Sequence, residues 1–445
     1  MPVRLIESLA TTTELAEVFS DESVLRAMLD FEVALARAEA HADVIPHQAA
    51  ETIATAAKTE AFDIAALAHD ALRAGTLAIP LVKALTEKVC VNDSLTAGFV
   101  HWGATSQDVA DTALVLLLKR AQTIFDTDLA RLEAGLRRLS EQHKNTVMLG
   151  RTLMQPAPPI TFGLKAAGWL GAVRRNRKRL GSSFKETLVV QFGGASGTLA
   201  SLGDNGISIG QGIAKELGLA FSEAPWHTHR DRLAALVCSC GVLTGSLGKM
   251  ARDISLLMQA EVAEASEPGG EGRGGSSTMP HKRNPTGCSI ALASAQRVPG
   301  LVATFLYTMV QEHERAVGGW QAEWPTVAAV IQATGLAISS MVEVAEGLKV
   351  DKTRMRANID ATRGAIFAER AMMLLAEKIG RDGAHKLMEE ATQKSIAQGR
   401  QLAEVLRGMP QVVQHIDNEI LGELELPEKY LGAAEQFRLN LLATK

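Results

Sequence analysis

The chain has few of the residues that mark disulfide-rich or base-stacking proteins. Its 445 residues include 4 cysteines, 2 tyrosines and 5 tryptophans, and aromatic residues make up 4% of the chain. Four scattered cysteines are too few for a disulfide framework in a chain of this length, so we expect a reducing compartment. Scarce aromatic residues disfavour aromatic-rich β-sandwiches and surfaces on which bases stack. These absences leave a large protein with an aliphatic core.

A strong charge of one sign is also missing. The chain has 46 basic and 50 acidic residues, which gives a net charge of −4. Because no general field is present to hold a polyanion, we expect no nucleic-acid partner. The basic run 174–179 is a local exception. It is more typical of a solvated helix end, where the helix dipole favours cations, than of a nucleic-acid patch.

No segment near the start is typical of a signal peptide, because Glu7, Glu14 and Glu17 interrupt residues 1–20. We therefore expect a cytoplasmic protein. Windows 233–248 and 324–342 carry no charge, yet both are rich in small residues. The first is too short to span a membrane, and the second is bounded by Glu323 and Glu343 with no Lys or Arg flank, so we expect no membrane partner. Helices that are apolar all round must be buried on all sides. These windows, with the similar stretch 290–310, predict a helix bundle continued across subunits, in which small residues let backbones approach closely.

Helical periodicity dominates the chain and predicts an all-α fold. We expect β-structure in at most one short hairpin around residues 187–196, and a helix opened by Pro158 and Pro159 that ends in the basic run. The other predicted helices cover 21–43, 66–85 with breaks, 106 to about 139 behind an N-cap at Thr105, 226–264, 285–315 and 325–348. Charged residues return after Asp351. The predicted domains are an N-terminal helical domain at 1–110, a central long-helix bundle at 111–355 and a C-terminal helical domain at 356–445.

The segment 268–285, PGGEGRGGSSTMPHKRNP, carries the most chemistry. Five glycines cannot form the interior of a helix or strand, so they predict a mobile loop between two long helices. A loop whose amides close around an anion, with Lys282 and Asn284 beside them, makes an oxyanion-type site. It is not a Walker motif, because no Gly-Lys-Ser/Thr follows the glycines.

Three blocks of the sequence resemble the fumarase/aspartase superfamily, which includes fumarase, argininosuccinate lyase and adenylosuccinate lyase. SSTMPHKRNP at 276–285 resembles its signature, HWGATSQD at 101–108 its first block and GRTLMQPAPPIT at 150–161 its second. The segment 313–315 with Glu323 resembles adenylosuccinate lyase. The resemblance implies a three-domain all-α fold with a central long-helix bundle. It also implies a homotetramer in which three subunits build each active site.

The resemblance also implies β-elimination, or its reverse, beside a carboxylate, through an aci-carboxylate intermediate. It makes Ser276 the acid/base that moves the α-proton, with Lys282 and Asn284 as donors to the anion. A serine hydroxyl is a weak base, so the loop amides must lower its pKa. A small polycarboxylate is the implied partner, and no metal or other cofactor is expected. The implied substrate-binding residues are His101, Thr105, Ser106, Arg151, Thr152, Gln155, Ser277, Met279, His281 and Arg315.

One departure from the family pattern narrows the reaction. Family lyases generally have His where this chain has Leu153, and a departing nitrogen or hydroxide needs such an acid. A carboxylate that leaves a lactone needs no proton. RAGTLAIPLVKAL at 73–85, FGGASGTLA at 192–200 and PWHTHRDR at 225–232 resemble the bacterial 3-carboxy-cis,cis-muconate cycloisomerase group. The expected activity is therefore that of an isomerase, which interconverts 3-carboxy-cis,cis-muconate and 4-carboxymuconolactone in the protocatechuate branch of β-ketoadipate aromatic catabolism.

Three alternatives stay open from the sequence. The first is an adenylosuccinate lyase-like β-elimination enzyme. The second is a crystallin-like structural reuse of the fold, although such a protein has no use for Ser276, Lys282 and Asn284 on a glycine loop. The third, a nucleic-acid-binding module, rests only on the basic run 174–179.

Overall fold

The structure is a computed structural model that describes residues 5–270, 274–275, 278–279 and 282–443, apart from the side chain of Asn92. The chain forms two compact units, and each is assembled from three separate segments. Unit 1 contains Met1–Leu129, Arg175–Gly248 and Ile290–Ser340. Unit 2 contains Ala130–Arg174, Lys249–Ser289 and Met341–Lys445.

Eighteen α-helices, α1 to α18, make up most of the described chain. They are Thr13–Val18, Asp21–His41, His47–Ala56, Ile64–Ala74, Ala78–Asn92, Ser106–Gln142, Phe162–Thr187, Gly206–Leu217, Asp231–Leu257, Thr286–Thr308, Gly319–Gly347, Lys352–Asp360, Ala368–Ile379, Arg381–Gln398, Leu402–Arg407, Pro410–Val413, Asn418–Glu423 and Ala434–Ala443. The longest is α6 with 37 residues, followed by α11, α9, α7 and α10. The all-α prediction with long central helices is confirmed.

Several helices end earlier than their periodicity predicts, and a residue with a left-handed backbone follows each of these ends within a few residues. Helix α2 begins behind Ser20, whose hydroxyl accepts a hydrogen bond from the Ser23 amide, and it ends before Asp43, which has φ +57°. Ala263, with φ +51°, follows the end of α9, and His313, with φ +45°, follows the end of α10. Helical φ is negative, so the regular helices cannot include these residues.

The described β-structure consists of six short strands that pair two by two. They are β1 Val147–Thr152, β2 Gln155–Thr161, β3 Val189–Val190, β4 Ala220–Phe221, β5 Ala265–Ser266 and β6 Lys349–Val350. β1 pairs with β2 and β5 with β6 in antiparallel fashion, whereas β3 pairs with β4 in parallel.

The predicted hairpin at 187–196 is therefore wrong, because only β3 lies there and its partner is distant in sequence. The real hairpin, β1–β2, contains the two prolines that were expected to open a helix, and α7 begins only at Phe162. Proline lacks an amide donor and holds the preceding residue extended. Pro158 and Pro159 therefore fit the irregular strand β2 better than a helix.

The basic run 174–179 also differs from its prediction. It lies inside α7, which continues to Thr187, so it does not end the helix. The guanidinium of Arg174 donates to the carbonyl oxygens of Leu441 and Leu442, at 3.1 and 3.2 Å. Arg174 is thus a packing residue that fastens the C-terminal helix α18 within unit 2.

Small residues bring helices close together within unit 1. A Cβ atom on Gly248 of α9 would lie 2.6 Å from the Cβ atom of Ala295 on α10. A Cβ atom on Gly335 of α11 would lie closer still to the Leu15 side chain of α1, and 2.9 Å from the Phe125 side chain of α6. At Gly248 a larger side chain forces α9 and α10 apart, because the Cβ atom of Ala295 cannot move without its backbone.

Three helices, α9, α10 and α11, are long and apolar enough to cross a membrane by length and composition alone. In their most apolar windows, 61% of α9 and 67% of α11 is buried, but only 22% of α10. Tyr307, near the end of α10, is 86% exposed. The burial on all sides that the sequence predicts is therefore not reached within the described part of one chain.

Candidate active site

A turn in unit 1 carries three predicted substrate-binding residues, His101, Thr105 and Ser106. The turn is tight, with φ +60° at His101 and φ +69° at Gly103. Helix α6 begins at Ser106, so the first amides of the helix lack helical acceptors. The hydroxyls of Thr105 and Ser106 form no hydrogen bond to any described residue, which leaves both available to a substrate carboxylate.

His101 is held from behind by helix α2. Its Nδ1 lies 2.7 Å from Oε1 of Glu32, and the Glu32 side chain is only 1% exposed. Burial by itself lowers the pKa of His101, but the charge and hydrogen bond of Glu32 and the charge of Asp108 outweigh burial. The pKa of His101 is therefore raised, which favours the imidazolium form.

Asp108 joins three segments that the sequence analysis treated separately. One oxygen, Oδ1, accepts hydrogen bonds from Gly193 N at 3.1 Å and His227 Nε2 at 2.7 Å. The other, Oδ2, accepts from Gly194 N at 2.9 Å and Thr105 N at 3.1 Å. This buried carboxylate thus fixes the turn at 101–105, the glycine loop at 193–197 and the segment before α9 in one arrangement.

The first two of these segments also touch directly. A Cβ atom on Gly194, which has φ +65°, would lie 2.8 Å from the carbonyl oxygen of Gly103. Only glycine meets both the backbone angle and the close approach at this position.

Arg315 closes the same loop from the other side. Its Nη2 donates to the carbonyl oxygens of Gly194 at 2.6 Å and Ala195 at 3.1 Å. Burial lowers the pKa of Arg315 and the nearby charges of Asp108 and Asp111 raise it, with a net lowering. The predicted substrate-binding residue Arg315 therefore lies beside the turn that carries His101, and it orients the loop at 193–197.

A second buried ionic cluster supports this part of unit 1. Arg230, fully buried, donates to Asp111 Oδ2 at 2.7 Å and to Glu323 Oε2 at 2.8 Å. Trp320 donates its Nε1–H to Asp111 Oδ1 at 2.9 Å. Burial alone lowers the pKa of Arg230, but the two carboxylates outweigh it and raise the pKa. Glu323, singled out by its resemblance, is thus a partner of Arg230 in the structure.

In unit 2 the β1–β2 hairpin carries three more predicted substrate-binding residues. Arg151 and Thr152 end β1, and Gln155 begins β2 opposite Thr152. The turn between them is Leu153-Met154, with φ +49° and +67°. Two-residue hairpins favour glycine or asparagine at such angles, so these two residues form a strained turn. Their side chains are 96% and 70% exposed.

Arg151 is anchored by a buried acid. Its two terminal nitrogens lie 2.9 and 2.7 Å from the oxygens of Glu264, which is fully buried. Asn358 also donates to Glu264 Oε1, at 2.8 Å. Arg151, Gln155 and Asn358 face a cavity of about 560 Å³ in unit 2. A bidentate pair fixes the direction of the guanidinium, which suits recognition of a planar anion.

The structure describes the glycine segment at residues 268–270, 274–275, 278–279 and 282–285. The backbone N–H of Asn284 donates to the Gly274 carbonyl at 2.8 Å, and the backbone N–H of Lys282 donates to the Met279 carbonyl at 3.0 Å. Lys282 is exposed, and Met279 is 42% exposed. Glu267 accepts hydrogen bonds from the first amides of α10, Gly287 and Cys288. The predicted site residues Ser276, Ser277 and His281 lie outside the described residues.

Sequence reasoning missed two residues that organise the unit 1 site. The sequence assigns no function to Glu32, because a glutamate within an amphipathic helix is ordinary and does not indicate a site. His227 was noted only within a resembling motif. The spacing of HWGATSQD does contain a signal for Asp108, because an acid three residues after a helix N-cap closes a capping box. Nothing in that spacing predicts its bonds to Gly193, Gly194 and His227.

Among the described residues, no group of three or more His, Cys, Asp or Glu side chains is arranged to hold a metal ion. The Cys238 and Cys240 pair is not exposed. Burial raises the pKa of the Cys240 thiol to about 12, so this thiol stays protonated.

The comparisons with known proteins agree with the three motifs. A family model described as "Lyase" matches residues 8–300, and one described as "Adenylosuccinate lyase C-terminus" matches residues 364–438. The chain belongs to the lyase family of the fumarase/aspartase superfamily.

Two relatives of this chain are 3-carboxy-cis,cis-muconate cycloisomerases. The one from Bradyrhizobium diazoefficiens is 50% identical and covers 98% of this chain and 97% of its own. The one from Pseudomonas aeruginosa is 46% identical and covers 99% and 96%.

A solved structure of this lyase family confirms the fold. The 3-carboxy-cis,cis-muconate lactonizing enzyme from Pseudomonas putida is 44% identical, with a TM-score of 0.93 over 99% of this chain and 98% of its own. The predicted fumarase/aspartase-like architecture with its long-helix bundle is therefore correct. The protein is an enzyme, as its family membership and these relatives indicate.

Proposed function

We infer that this chain interconverts 3-carboxy-cis,cis-muconate and 4-carboxymuconolactone. The observation that carries this inference is the identity of 46–50% to cycloisomerases over nearly the whole chain. The residue at position 153 agrees with it. Leu153 cannot donate a proton, and the lactone reaction releases a carboxylate that needs none.

The reaction requires one proton and no redox step. A carboxylate oxygen of the tricarboxylate diene adds to the distal double bond, and the electron pair moves onto the conjugated carboxylate to give an aci-anion. A proton is then delivered to the α-carbon, which yields the lactone. Donors placed around the developing charge lower this barrier, and each well-placed donor contributes on the order of 3 kcal/mol.

We assign the proton transfer to Ser276 and the stabilisation of the aci-anion to Lys282 and Asn284. Support comes from the contacts of Asn284 with the two glycines that precede Ser276 in the sequence. Its backbone amide donates to the Gly274 carbonyl, and its side-chain amide donates to the Gly275 carbonyl at 3.4 Å. Lys282 is exposed and so remains available to a ligand.

Three carboxylates on the substrate need several cationic and polar partners. Arg151 and His101 are both pre-oriented by buried acids, Glu264 and Glu32. Pre-orientation reduces the entropy lost when the substrate binds. The full set that we assign to substrate binding is His101, Thr105, Ser106, Arg151, Thr152, Gln155, Ser277, Met279, His281 and Arg315.

The assembly that we propose is a homotetramer with active sites shared between subunits. The exposed apolar surface of α10 and the exposed Leu153-Met154 turn support it, because isolated soluble chains seldom expose such surfaces. The domain boundaries near residues 110 and 355 and the cytoplasmic location belong to the same proposal.

The decisive experiment is to incubate the purified protein with 3-carboxy-cis,cis-muconate and to follow the loss of diene absorbance. We expect turnover without added metal or nicotinamide, with 4-carboxymuconolactone as product by NMR. The same preparation is offered adenylosuccinate in parallel. Turnover of adenylosuccinate with no conversion of the muconate establishes the β-elimination alternative instead. Inactivity on both substrates favours the structural alternative.

A further inference from the structure

Helix α2 places two buried acids behind the predicted substrate-binding turn. Glu32 and Glu39 lie seven residues apart, so they share one face of the helix two turns apart. Glu32 is 1% exposed and Glu39 is 0% exposed. Two neighbouring buried carboxylates cannot both ionise cheaply, because each charge loses its hydration and repels the other.

The hydrogen bonds decide which of the two acids keeps its charge. Oε1 of Glu32 pairs with His101 Nδ1 at 2.7 Å. Neither oxygen of Glu39 has a hydrogen-bond partner among the described residues. Burial, and then the charge of Glu32, raise the pKa of Glu39 to about 9. Glu39 therefore carries a proton at neutral pH, and Glu32 carries the negative charge next to the imidazole ring.

We propose that Glu32 is a positioning residue, which holds the ring of His101 as a cation with its Nδ1–H on the Glu32 carboxylate and its Nε2–H available to a substrate carboxylate. This inference rests on the proposed function, since it takes the substrate to be a polycarboxylate. Nε2 has no partner among the described residues, and the His101 side chain is 16% exposed. The ring can thus meet a ligand without breaking its bond to Glu32.

The surroundings of His101 favour the cation. The titratable groups nearby are Glu32 and neutral Glu39 on α2, Asp108 on α6, and His227 and Arg315, both of which contact Asp108 or feel its charge. Glu32 and Asp108 raise the pKa of His101. Since the folded-state pKa is raised, the imidazolium is present at low pH and is lost as pH rises through that pKa. Substrate affinity that depends on the imidazolium therefore falls as pH rises through the pKa of His101.

A merely structural salt bridge predicts something different. If the Glu32–His101 pair only fastened α2 to the turn, removing the charge of Glu32 would lower stability and leave the pH dependence of binding unchanged. The pH dependence of ligand affinity therefore separates a positioning role from a structural one.

The test measures binding of propane-1,2,3-tricarboxylate to the full chain by isothermal titration calorimetry from pH 5.5 to 9. In Glu32→Gln we expect Kd to begin rising at a lower pH than in the wild type, because a neutral amide no longer supports the imidazolium. At pH 7.5 we expect Kd, and KM for 3-carboxy-cis,cis-muconate, to rise about tenfold, the scale of one lost charge-assisted hydrogen bond. We expect kcat to change less than about threefold.

Three further variants complete the experiment. His101→Gln keeps an N–H donor but no charge. Its Kd should therefore be higher than that of the wild type, and the rise of Kd with pH, here called the pH step, should disappear. The double variant Glu32→Gln/His101→Gln should bind no more weakly than His101→Gln alone, because Glu32 acts through His101. Glu22→Gln, an exposed change on the same helix, is the matched control and should bind like the wild type.

Two results overturn the proposal: a wild-type pH profile in a folded Glu32→Gln protein, or a wild-type Kd in His101→Gln. If Glu32→Gln does not fold, Glu32→Asp and His101→Gln decide, since the aspartate keeps the charge and must keep the pH step. A wild type that binds the tricarboxylate but does not convert the muconate refutes the proposed function and leaves the Glu32 comparison intact.

Discussion

At the scale of single residues, Glu39 shows how a buried group couples stability to pH. Its folded-state pKa of about 9 lies above the ordinary value of 4.5. The folded state therefore binds a proton that the unfolded state releases between these two pH values. This contribution to the free energy of unfolding is fully present below pH 4.5 and is lost as pH rises toward 9.

We predict that Glu39→Gln, which mimics the protonated acid, matches the wild type in stability near pH 4.5 and exceeds it increasingly at higher pH. At pH 7 the gain in unfolding free energy is about 3 kcal/mol. Urea unfolding midpoints at pH 5 and pH 8 check this expectation. Equal gains at both pH values would contradict it, and Glu22→Gln on the exposed face should show no gain.

Lys282 is the opposite kind of residue, because its charge is exposed and serves no packing role in the described chain. We predict that Lys282→Met lowers kcat at least about 100-fold, since it removes a cation from the developing aci-anion. The melting temperature should stay within about 2 °C of the wild type. Lys349→Met, another exposed change, serves as the control for both measurements. Full turnover in Lys282→Met would remove Lys282 from the catalytic assignment.

At the scale of elements, the β1–β2 hairpin combines strain with exposed apolar side chains. Leucine and methionine occupy backbone angles that asparagine and glycine adopt more easily. Strain of this kind costs on the order of 1–3 kcal/mol per residue and persists at functional positions. The tip therefore fits a segment kept for contact with substrate or with another subunit.

We predict that Leu153→Asn/Met154→Gly raises the unfolding free energy of the chain by about 1–2 kcal/mol and lowers turnover at least about tenfold. Relief of the left-handed angles causes the first effect, and loss of the apolar tip causes the second. Denaturant unfolding and diene absorbance measure them. Met373→Asn, an exposed change on α13, should alter neither. Wild-type turnover in the hairpin variant would exclude a role for the tip in the reaction.

The sequence predicts some elements of the structure well and others not at all. The long helices α6, α9, α10 and α11 follow from periodicity and charge, and the family follows from three motifs. The β1–β2 hairpin could not be predicted, because its prolines also suit a helix start. The bonds from Asp108 to Gly193, Gly194 and His227 join residues about 85 and 119 positions apart. No local pattern encodes pairs of that separation.

At the scale of the whole molecule, the exposed apolar surface of α10 supports the proposed tetramer. We predict that light scattering gives about four times the 47.5 kDa mass of one chain. Tyr307→Glu/Val310→Glu places charges where both side chains are more than four-fifths exposed, and it should yield smaller species with reduced turnover. Ile396→Glu, on α14, is the control and should keep the wild-type mass. A monomeric wild type would refute the shared-site proposal.

The discontinuous build of unit 1 bears on how the protein is made. Its first segment ends at Leu129, and its last segment ends at Ser340, 211 residues later. At about 5–20 residues per second, a ribosome needs about 10–40 s to synthesise that interval. During this time the apolar faces of the first segment have no native partners from the last one. We therefore expect newly made chains to need chaperones, and expression yield to depend on the rate of synthesis as well as on the stability of the finished enzyme.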